Sequence, residues 1–318
     1  MAESVKIAII GLGHIGKIHI EVVVSNPHYE LIAICDKEES CKALLESVDF
    51  YNDYTQMLQR GGFEVVVVAT PTRTHAKIAQ EVLESGYDVI LEKPAGSCIE
   101  QLQILQKCAK SGGKNIYYAF HAAYASEVLW FENHYLEHKE IYGEIESFSS
   151  HFYDPYFKEM KLLDVARGLD TSWYDSGVNA LSVLEKFLKI DDLQMRHVRV
   201  SKYYEQEIST TVEFELKQGA LGFIQTAWDQ GVNFKSTKLY FQNGITIELR
   251  HTKQQVIREA ESKEVLIAFE GERLFNHYKN IFDDYIQKMH HKEDNVAQSM
   301  TIHSKLFEVG EKNGFYCY

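Results

Sequence analysis

One glycine pattern, Gly11-Leu12-Gly13-His14-Ile15-Gly16, constrains this chain more than any other stretch. It matches G-x-G-x-x-G, follows a strand-like run at Val5–Ile10 and opens a helix-like stretch at His14–Ser25. That context predicts a strand–turn–helix that takes a dinucleotide. Gly11 allows the tight turn. Gly13 lets a pyrophosphate approach backbone N–H groups at the helix N-terminus, and Gly16 lets the helix pack closely on the strand. His14 and Ile15 sit in the same turn and are cofactor-binding candidates. Asp36, at the end of the next strand, is placed to accept hydrogen bonds from the adenosine ribose, and its charge repels a 2′-phosphate. NAD is the expected cofactor, with NADP possible because Lys37 offers a phosphate some compensation.

The rest of the first third repeats the alternation. Strand-like runs at Glu30–Cys35, Glu64–Ala69, Asp88–Leu91 and Asn115–Ala119 are separated by helix-like stretches at Lys37–Ser47, Tyr54–Gly61, Thr74–Ser85 and Ser97–Ser111. Val65–Ala69 is β-branched on both faces, as a strand covered on both sides requires. This predicts an α/β fold with a doubly wound parallel sheet. Beyond about residue 120 the pattern changes. A helix at Ala125–His138 precedes strands at Gly143–Asp154, Met195–Tyr204, Glu207–Lys217, Leu221–Trp228, Lys238–Gln242 and Ile245–His251, with turns at Gly219, Gly231 and Asn243-Gly244. Helices at Phe275–His290 and Val296–Glu311 close the chain. The expected division is a Rossmann domain at 1–120 and an α+β domain at 121–318 built on a largely antiparallel open sheet.

Lys plus Arg number 33 against 46 Asp plus Glu, a net charge of −13. That acidic balance argues against nucleic-acid or anionic-membrane partners, which need a basic face. The five cysteines, Cys35, Cys41, Cys98, Cys108 and Cys317, form no C-x-x-C pair, and no apolar run approaches a membrane span. A cytoplasmic protein with free thiols is expected. His134 and His138 have a metal-compatible spacing, but no further ligands accompany them; a solvated helix face is expected, and no metal. Asp191-Asp192 and Asp283-Asp284 read as solvated charge.

Two further segments lie where such a sheet presents ligands, past the carboxyl ends of its strands. They are Ala69-Thr70-Pro71-Thr72-Arg73-Thr74-His75 and Leu91-Glu92-Lys93-Pro94. Taken with Gly11–His19 (G-L-G-H-I-G-x-x-H), the A-T-P-x-x-x-H and E-K-P segments resemble the glucose-fructose oxidoreductase, inositol dehydrogenase and MocA (Gfo/Idh/MocA) family. The resemblance implies that Thr70, Pro71, His75, Glu92 and Lys93 serve the cofactor, with Lys93 at its nicotinamide end. It also implies a C-terminal antiparallel sheet. The family's third motif, D-x-G-x-H-x-x-D, is matched by Asp175-Ser176-Gly177-Val178-Asn179-Ala180-Leu181-Ser182, where Asn179 replaces the His and Ser182 the final Asp. D-x-G-x-N-A-L-S is similar to the L-arabinose and D-galactose 1-dehydrogenase subgroup. His121 and Trp228 stand where that subgroup places comparable residues, as candidate substrate contacts. The stretch from Phe148 to Asp170 is less similar.

Oxidising a carbinol removes a hydride and a hydroxyl proton together. Asn179 cannot titrate, which leaves Lys93 and Asp175 as proton acceptors. A lysine base needs a depressed pKa, and pairing with Asp175 would oppose that. An anomeric hydroxyl is more acidic than a secondary alcohol, so a weaker base suffices. The leading expectation is an aldose 1-dehydrogenase in which Lys93, Asp175 and Asn179 are catalytic. Lys93 relays the proton while Asp175 and Asn179 hold the sugar. The alternatives are a dehydrogenase for a ring hydroxyl of a cyclitol, another sugar or a dihydrodiol, and a non-catalytic nicotinamide-binding regulator. A homo-oligomer, dimer or tetramer, through the C-terminal sheet is expected, because a sheet face of that size is rarely left in water.

Overall fold

A computed structural model describes residues 4–45, 47–167, 169–259, 262–291 and 293–314; Cys317 lies outside them. The chain forms two compact units. One comprises the chain through Ala119 together with Tyr278–Met300, and the other Phe120–His277 together with the chain from Thr301.

In the first unit the order is β1 (Val5–Ile10), α1 (His14–Ser25), β2 (Tyr29–Cys35), β3 (Asp49–Tyr51), α2 (Tyr54–Arg60), β4 (Val65–Val68), α3 (Thr72–Glu84), β5 (Asp88–Glu92), α4 (Ile99–Gly112) and β6 (Ile116–Ala119). The strands pair in parallel in the order β3-β2-β1-β4-β5-β6. This is the doubly wound Rossmann arrangement, whose ligands sit past the strand ends where the order reverses. β4 is buried along its whole length, as its valine run demands. α2 starts on Asp53, whose carboxylate accepts from Thr55 N at 2.8 Å. α4 stops at Gly113 in the left-handed conformation. The helix expected over Lys37–Ser47 is instead a 3₁₀ turn at Glu39–Leu44 followed by β3. None of that turn's residues is buried, so no apolar stripe drives a longer helix.

β6 is an edge strand, and the returning C-terminal segment covers it. Asn295 accepts from Tyr118 N at 2.9 Å and donates to Tyr118 O at 2.8 Å, so one side-chain amide does what a neighbouring strand would do. Tyr29 donates to Phe282 O at 2.7 Å and Tyr117 to Asp284 at 2.6 Å. Asn26 donates to Asp283 at 3.1 Å. Asp283 and Asp284 therefore anchor this segment rather than serving as mere solvated charge.

The second unit opens with α5 (Ser126–Glu137) and α6 (Lys139–Tyr142). β7 (Ile145–Tyr153), the small hairpin β8 (Phe157–Lys158) and β9 (Lys161–Leu162), α7 (Asp164–Arg167) and α8 (Val178–Leu184) follow. Then come β10 (Gln194–Tyr203), β11 (Gln206–Glu215), β12 (Leu221–Ala227), β13 (Phe234–Phe241), β14 (Thr246–Arg250), β15 (Gln255–Glu259) and β16 (Lys263–Ala268). Two last helices, α9 (Arg273–His291) and α10 (Val296–Asn313), span the unit boundary. The eight-stranded sheet runs β10-β11-β12-β7-β13-β14-β15-β16 and is antiparallel except for the β12–β7 pair. Phe148, Phe152, Ile224 and Leu239 are buried on one of its faces, and α8 lies against β7. β13 starts at Phe234 rather than at Lys238, because Lys235 and Thr237 sit on the buried face where apolar residues are the rule.

Candidate functional site

The cofactor cradle of the first unit is built by the glycine turn. Gly11 has φ +92, and a Cβ there would lie 2.6 Å from Ala69 O; at Gly16 it would lie 1.9 Å from Gly11 O. These two glycines are demanded by the fold itself. Gly13 differs. A Cβ there would meet nothing within 4 Å, and it caps α1 without a side-chain cap bond. It faces the space where N–H groups at the helix N-terminus can take a phosphate, so the residues fit a dinucleotide. Asp36 ties the turn to the end of β2 by accepting from Leu12 N at 2.6 Å and from Glu38 N at 3.0 Å.

Thr70 and Pro71 precede α3, and Thr74 donates to both Thr70 Oγ1 and Pro71 O at 2.7 Å. His75 is buried, with Nδ1 at 2.8 Å from Pro94 O and Nε2 at 2.6 Å from Thr70 O. Both nitrogens face carbonyls, so the ring lies between the segment before α3 and the E-K-P turn, and in its neutral form it donates to one of the two. Burial pushes its pKa down, against the two carbonyls and Glu92, which favour the charged ring. His75, a cofactor-contact candidate, has its two ring nitrogens against backbone carbonyls of these two loops.

Glu92 is likewise a support. Its Oε1 accepts from His19 Nε2 at 2.9 Å, with both side chains buried. Its Oε2 accepts from Lys93 N at 3.2 Å. Tyr278 packs on the His19 ring at 4.5 Å. Burial favours the neutral acid, but His19, Tyr278 and Lys93 outweigh it and hold Glu92 below the usual carboxylate range. Lys93 therefore leaves a backbone fixed on one side by Glu92 and on the other by the Pro94–His75 bond.

In the second unit, Asp175 sits in a π-helical turn, Trp173–Gly177, that runs into α8. Such turns concentrate at functional sites. A Cβ on Gly177 would strike the Trp173 ring at 2.8 Å, so the motif's glycine is a packing requirement. Asn179 is buried; its Nδ2 donates to Asp175 O at 3.3 Å, and its Oδ1 has no hydrogen-bond partner among the described residues. Ser182, in the family's last Asp position, donates to Asn179 O at 2.8 Å.

Sequence reasoning missed the residues that hold this turn. Glu207 on β11 is buried and accepts from Ser172 Oγ at 2.6 Å, Thr210 Oγ1 at 2.8 Å and Trp173 N at 3.2 Å. Burial raises its pKa, and these bonds oppose the rise. Asp154, at the end of β7, accepts from Ser176 Oγ at 3.0 Å and from Lys235 Nζ at 2.5 Å. Lys235 also donates to Asn233 Oδ1 at 3.0 Å and Tyr153 O at 3.3 Å. Burial pushes the Lys235 ammonium pKa down, while Asp154 and Asp175 counter it and Arg273 adds to it. Asp154 lies in the stretch read as dissimilar to the family. The alternation of Lys235 with Leu239 and Phe241 on β13 was the one available signal.

Two substrate candidates fare differently. Trp228 is fully buried against Ile208 and Ala166, with Tyr156 at 5.9 Å. It belongs to the core under the β8–β9 segment and offers no face to a sugar, which corrects its candidacy. His121 is 8% exposed and its Nδ1 lies 3.3 Å from His277 Nδ1. His134 is not simply solvated. It stacks on Trp130 at 4.6 Å and on His138 at 4.4 Å, and its Nε2 lies 3.0 Å from Tyr142 Oη. No group of three metal-ligating side chains occurs among the described residues, and none of their helices is long and apolar enough to cross a membrane.

Residues 5–120 match the oxidoreductase family described as having an NAD-binding Rossmann fold. An uncharacterised oxidoreductase of Escherichia coli is 27% identical over 48% of this chain and 44% of its own length. The D-glucoside 3-dehydrogenase of Escherichia coli is 32% identical over 39% of this chain and 37% of its own. The aligned stretches thus span less than half of these relatives. Among solved structures, an inositol dehydrogenase homologue from Azotobacter vinelandii, complexed with NADH and myo-inositol, superposes with TM-score 0.79 over 96% of this chain and 93% of that one, at 18% identity. The UDP-N-acetylglucosamine 3-dehydrogenase of Acidithiobacillus ferrooxidans does so at 0.78 over 96% and 97%, at 14% identity. These likenesses establish the fold.

Proposed function

We propose that this chain, whose residues 5–120 match the model of the Gfo/Idh/MocA oxidoreductase family, is a member of that family and an NAD(P)-dependent dehydrogenase of a small sugar or polyol. The specific reading is oxidation of the anomeric carbon of an aldose, of the L-arabinose or D-galactose type, to a lactone. Gly11, Gly13, His14, Ile15 and Gly16 would hold the pyrophosphate, and Asp36 the adenosine ribose. The nicotinamide, when bound, supplies the hydride acceptor. Lys93 takes the C1 hydroxyl proton, while Asp175 and Asn179 orient the sugar.

Asn179 carries this reading. It has no proton to exchange, and its buried, unpartnered Oδ1 is an acceptor left for a ligand hydroxyl. An anomeric hydroxyl, more acidic than a secondary one, is the substrate that best tolerates loss of a titrating group there. Oxidation of a ring hydroxyl is the second reading, favoured by the 32% identity to a D-glucoside 3-dehydrogenase. Dimerisation through the open sheet and a cytoplasmic location complete the proposal.

The test is NADH formation by the purified protein with L-arabinose, D-galactose, D-xylose, D-glucose and myo-inositol. Lys93→Ala should lower kcat by about a hundredfold or more, the scale of a lost acid–base group. Near-normal turnover in that variant removes Lys93 from the chemistry. Silence with every sugar beside tight NADH binding supports the regulator instead.

A further inference from the structure

His19 closes the motif G-L-G-H-I-G-x-x-H and lies in the second turn of α1. It is fully buried. Its ring packs against Tyr278 at 4.5 Å and edge-on to Phe282 at 5.6 Å, both from the part of α9 that belongs to the same unit. Its Nε2 lies 2.9 Å from Glu92 Oε1, and its Nδ1 has no hydrogen-bond partner among the described residues. At Glu92 the largest influence is burial, which favours the neutral acid. The His19 bond is the strongest influence against it, ahead of Tyr278 and Lys93, and the balance holds Glu92 below the usual carboxylate range. An ionised Glu92 has no proton to give, so His19 donates from Nε2 whichever charge its ring carries. The other carboxylate oxygen, Oε2, accepts from Lys93 N at 3.2 Å. His75, on α3, also feels the charge of Glu92, but its nitrogens lie against the Pro94 and Thr70 carbonyls and give Glu92 no donor.

We infer that His19 is a positioning residue: through Glu92 it fixes the peptide from which the Lys93 side chain departs, so the helix that follows the glycine turn also sets where Lys93 begins. The donor matters here rather than the ring. Without it, Glu92 keeps the cost of burial and loses its strongest compensation, so it takes up a proton at a higher pH. A neutral carboxyl group accepts more weakly than a carboxylate, and its hold on the Lys93 amide loosens. The part Lys93 plays in catalysis rests on the dehydrogenase reading above; the hold of His19 on Glu92 and on the Lys93 amide does not.

The experiment is NMR on the full chain with ¹³C-labelled glutamate carboxyls and ¹⁵N-labelled lysine. Glu92 is assigned by its loss in Glu92→Gln and the Lys93 amide by its loss in Lys93→Arg. In the parent, Glu92 should titrate below the ordinary 4.5. His19→Phe keeps a ring beside Tyr278 and Phe282 but has no donor. Glu92 should then titrate above 4.5, and the Lys93 amide should exchange with solvent about tenfold faster, the scale of one lost hydrogen bond. His19→Gln places an amide nitrogen near the position of Nε2 and should keep both signals close to the parent. His19→Asn, whose amide ends near the position of Nδ1, should behave as His19→Phe does, and the Gln–Asn pair carries the test if the Phe variant does not fold. A Glu92 midpoint or a Lys93 exchange rate that is the same in His19→Asn as in His19→Gln overturns the inference. With a sugar that is turned over, kcat in His19→Asn should fall as pH drops through the raised Glu92 value while NADH affinity holds; an unaltered kcat beside the NMR changes overturns the positioning role. The expected NMR changes in a protein silent with every sugar uphold the inference and defeat the dehydrogenase reading alone.

Discussion

Gly13 and Gly16 are equivalent letters of one motif and have different physical roles. A methyl group at Gly16 collides with the Gly11 carbonyl, whereas at Gly13 it meets no protein atom. Gly16→Ala should therefore destabilise the fold by about 1–3 kcal/mol. Gly13→Ala should leave the melting temperature unchanged and weaken NADH binding. Calorimetry of unfolding beside NADH titration separates them; equal loss of stability in both would contradict the assignment. Glu92 makes a second residue-scale prediction. Its folded-state pKa lies below the ordinary 4.5, so the folded chain holds fewer protons there than the unfolded one. The stabilisation is complete above that pH and is lost as pH falls through the folded value. Denaturation midpoints measured from about pH 6 to about pH 3 should fall more steeply in the parent than in Glu92→Gln. Parallel slopes would show that Glu92 is not the group responsible.

At the scale of elements, the π-helical turn bearing Asp175 depends on strands distant in sequence. Glu207 satisfies Ser172, Thr210 and the Trp173 amide. Its removal leaves three buried donors without that acceptor. Glu207→Ala should cost about 1–3 kcal/mol for each donor that finds no substitute and lower turnover while leaving NADH affinity intact, since the cofactor cradle lies in the other unit. Loss of NADH binding in this variant would mean that the two units are not independent in this respect. The strand pattern of β11 was readable, but Glu207's importance was not. A glutamate between alternating residues looks like a solvent-facing position until register brings it under Ser172. Lys235 illustrates the same point on β13, where polar inward residues hid the first half of the strand. β15 and β16 went unread: β15 has only two apolar residues, and the apolar run of β16, Val265–Ala268, shows no alternation and none of it is buried.

At the scale of the whole molecule, the sheet face opposite Phe148, Phe152, Ile224 and Leu239 carries its own ring cluster. His151 meets Phe223 at 5.2 Å and Tyr153 at 5.6 Å, and Tyr153 meets Phe234 at 5.9 Å. The dimer proposed above would cover these half-buried aromatics. Phe223→Asp should convert the assembly to monomers by light scattering, with secondary structure unchanged. A parent protein that is already monomeric at micromolar concentration removes the proposal.

Apart from β3 and the order of the strands, most of the Rossmann half was legible in the chain: the β-α alternation of a parallel sheet, the glycine turn, the acidic residue after β2 and a lysine past the end of β5. These are local patterns, with strand, turn and helix within a few residues of one another, and the backbone demands of Gly11 and Gly16 leave little freedom. It also marked Asp175 and Asn179 through a contiguous motif. Packing alone set His75 and Glu92 against their loops, buried Trp228, and joined Glu207, Asp154 and Lys235 to the turn that carries Asp175. Those roles depend on which buried polar groups meet across a sheet or helix. That meeting is set by register and packing between segments far apart in the chain, which no local pattern records.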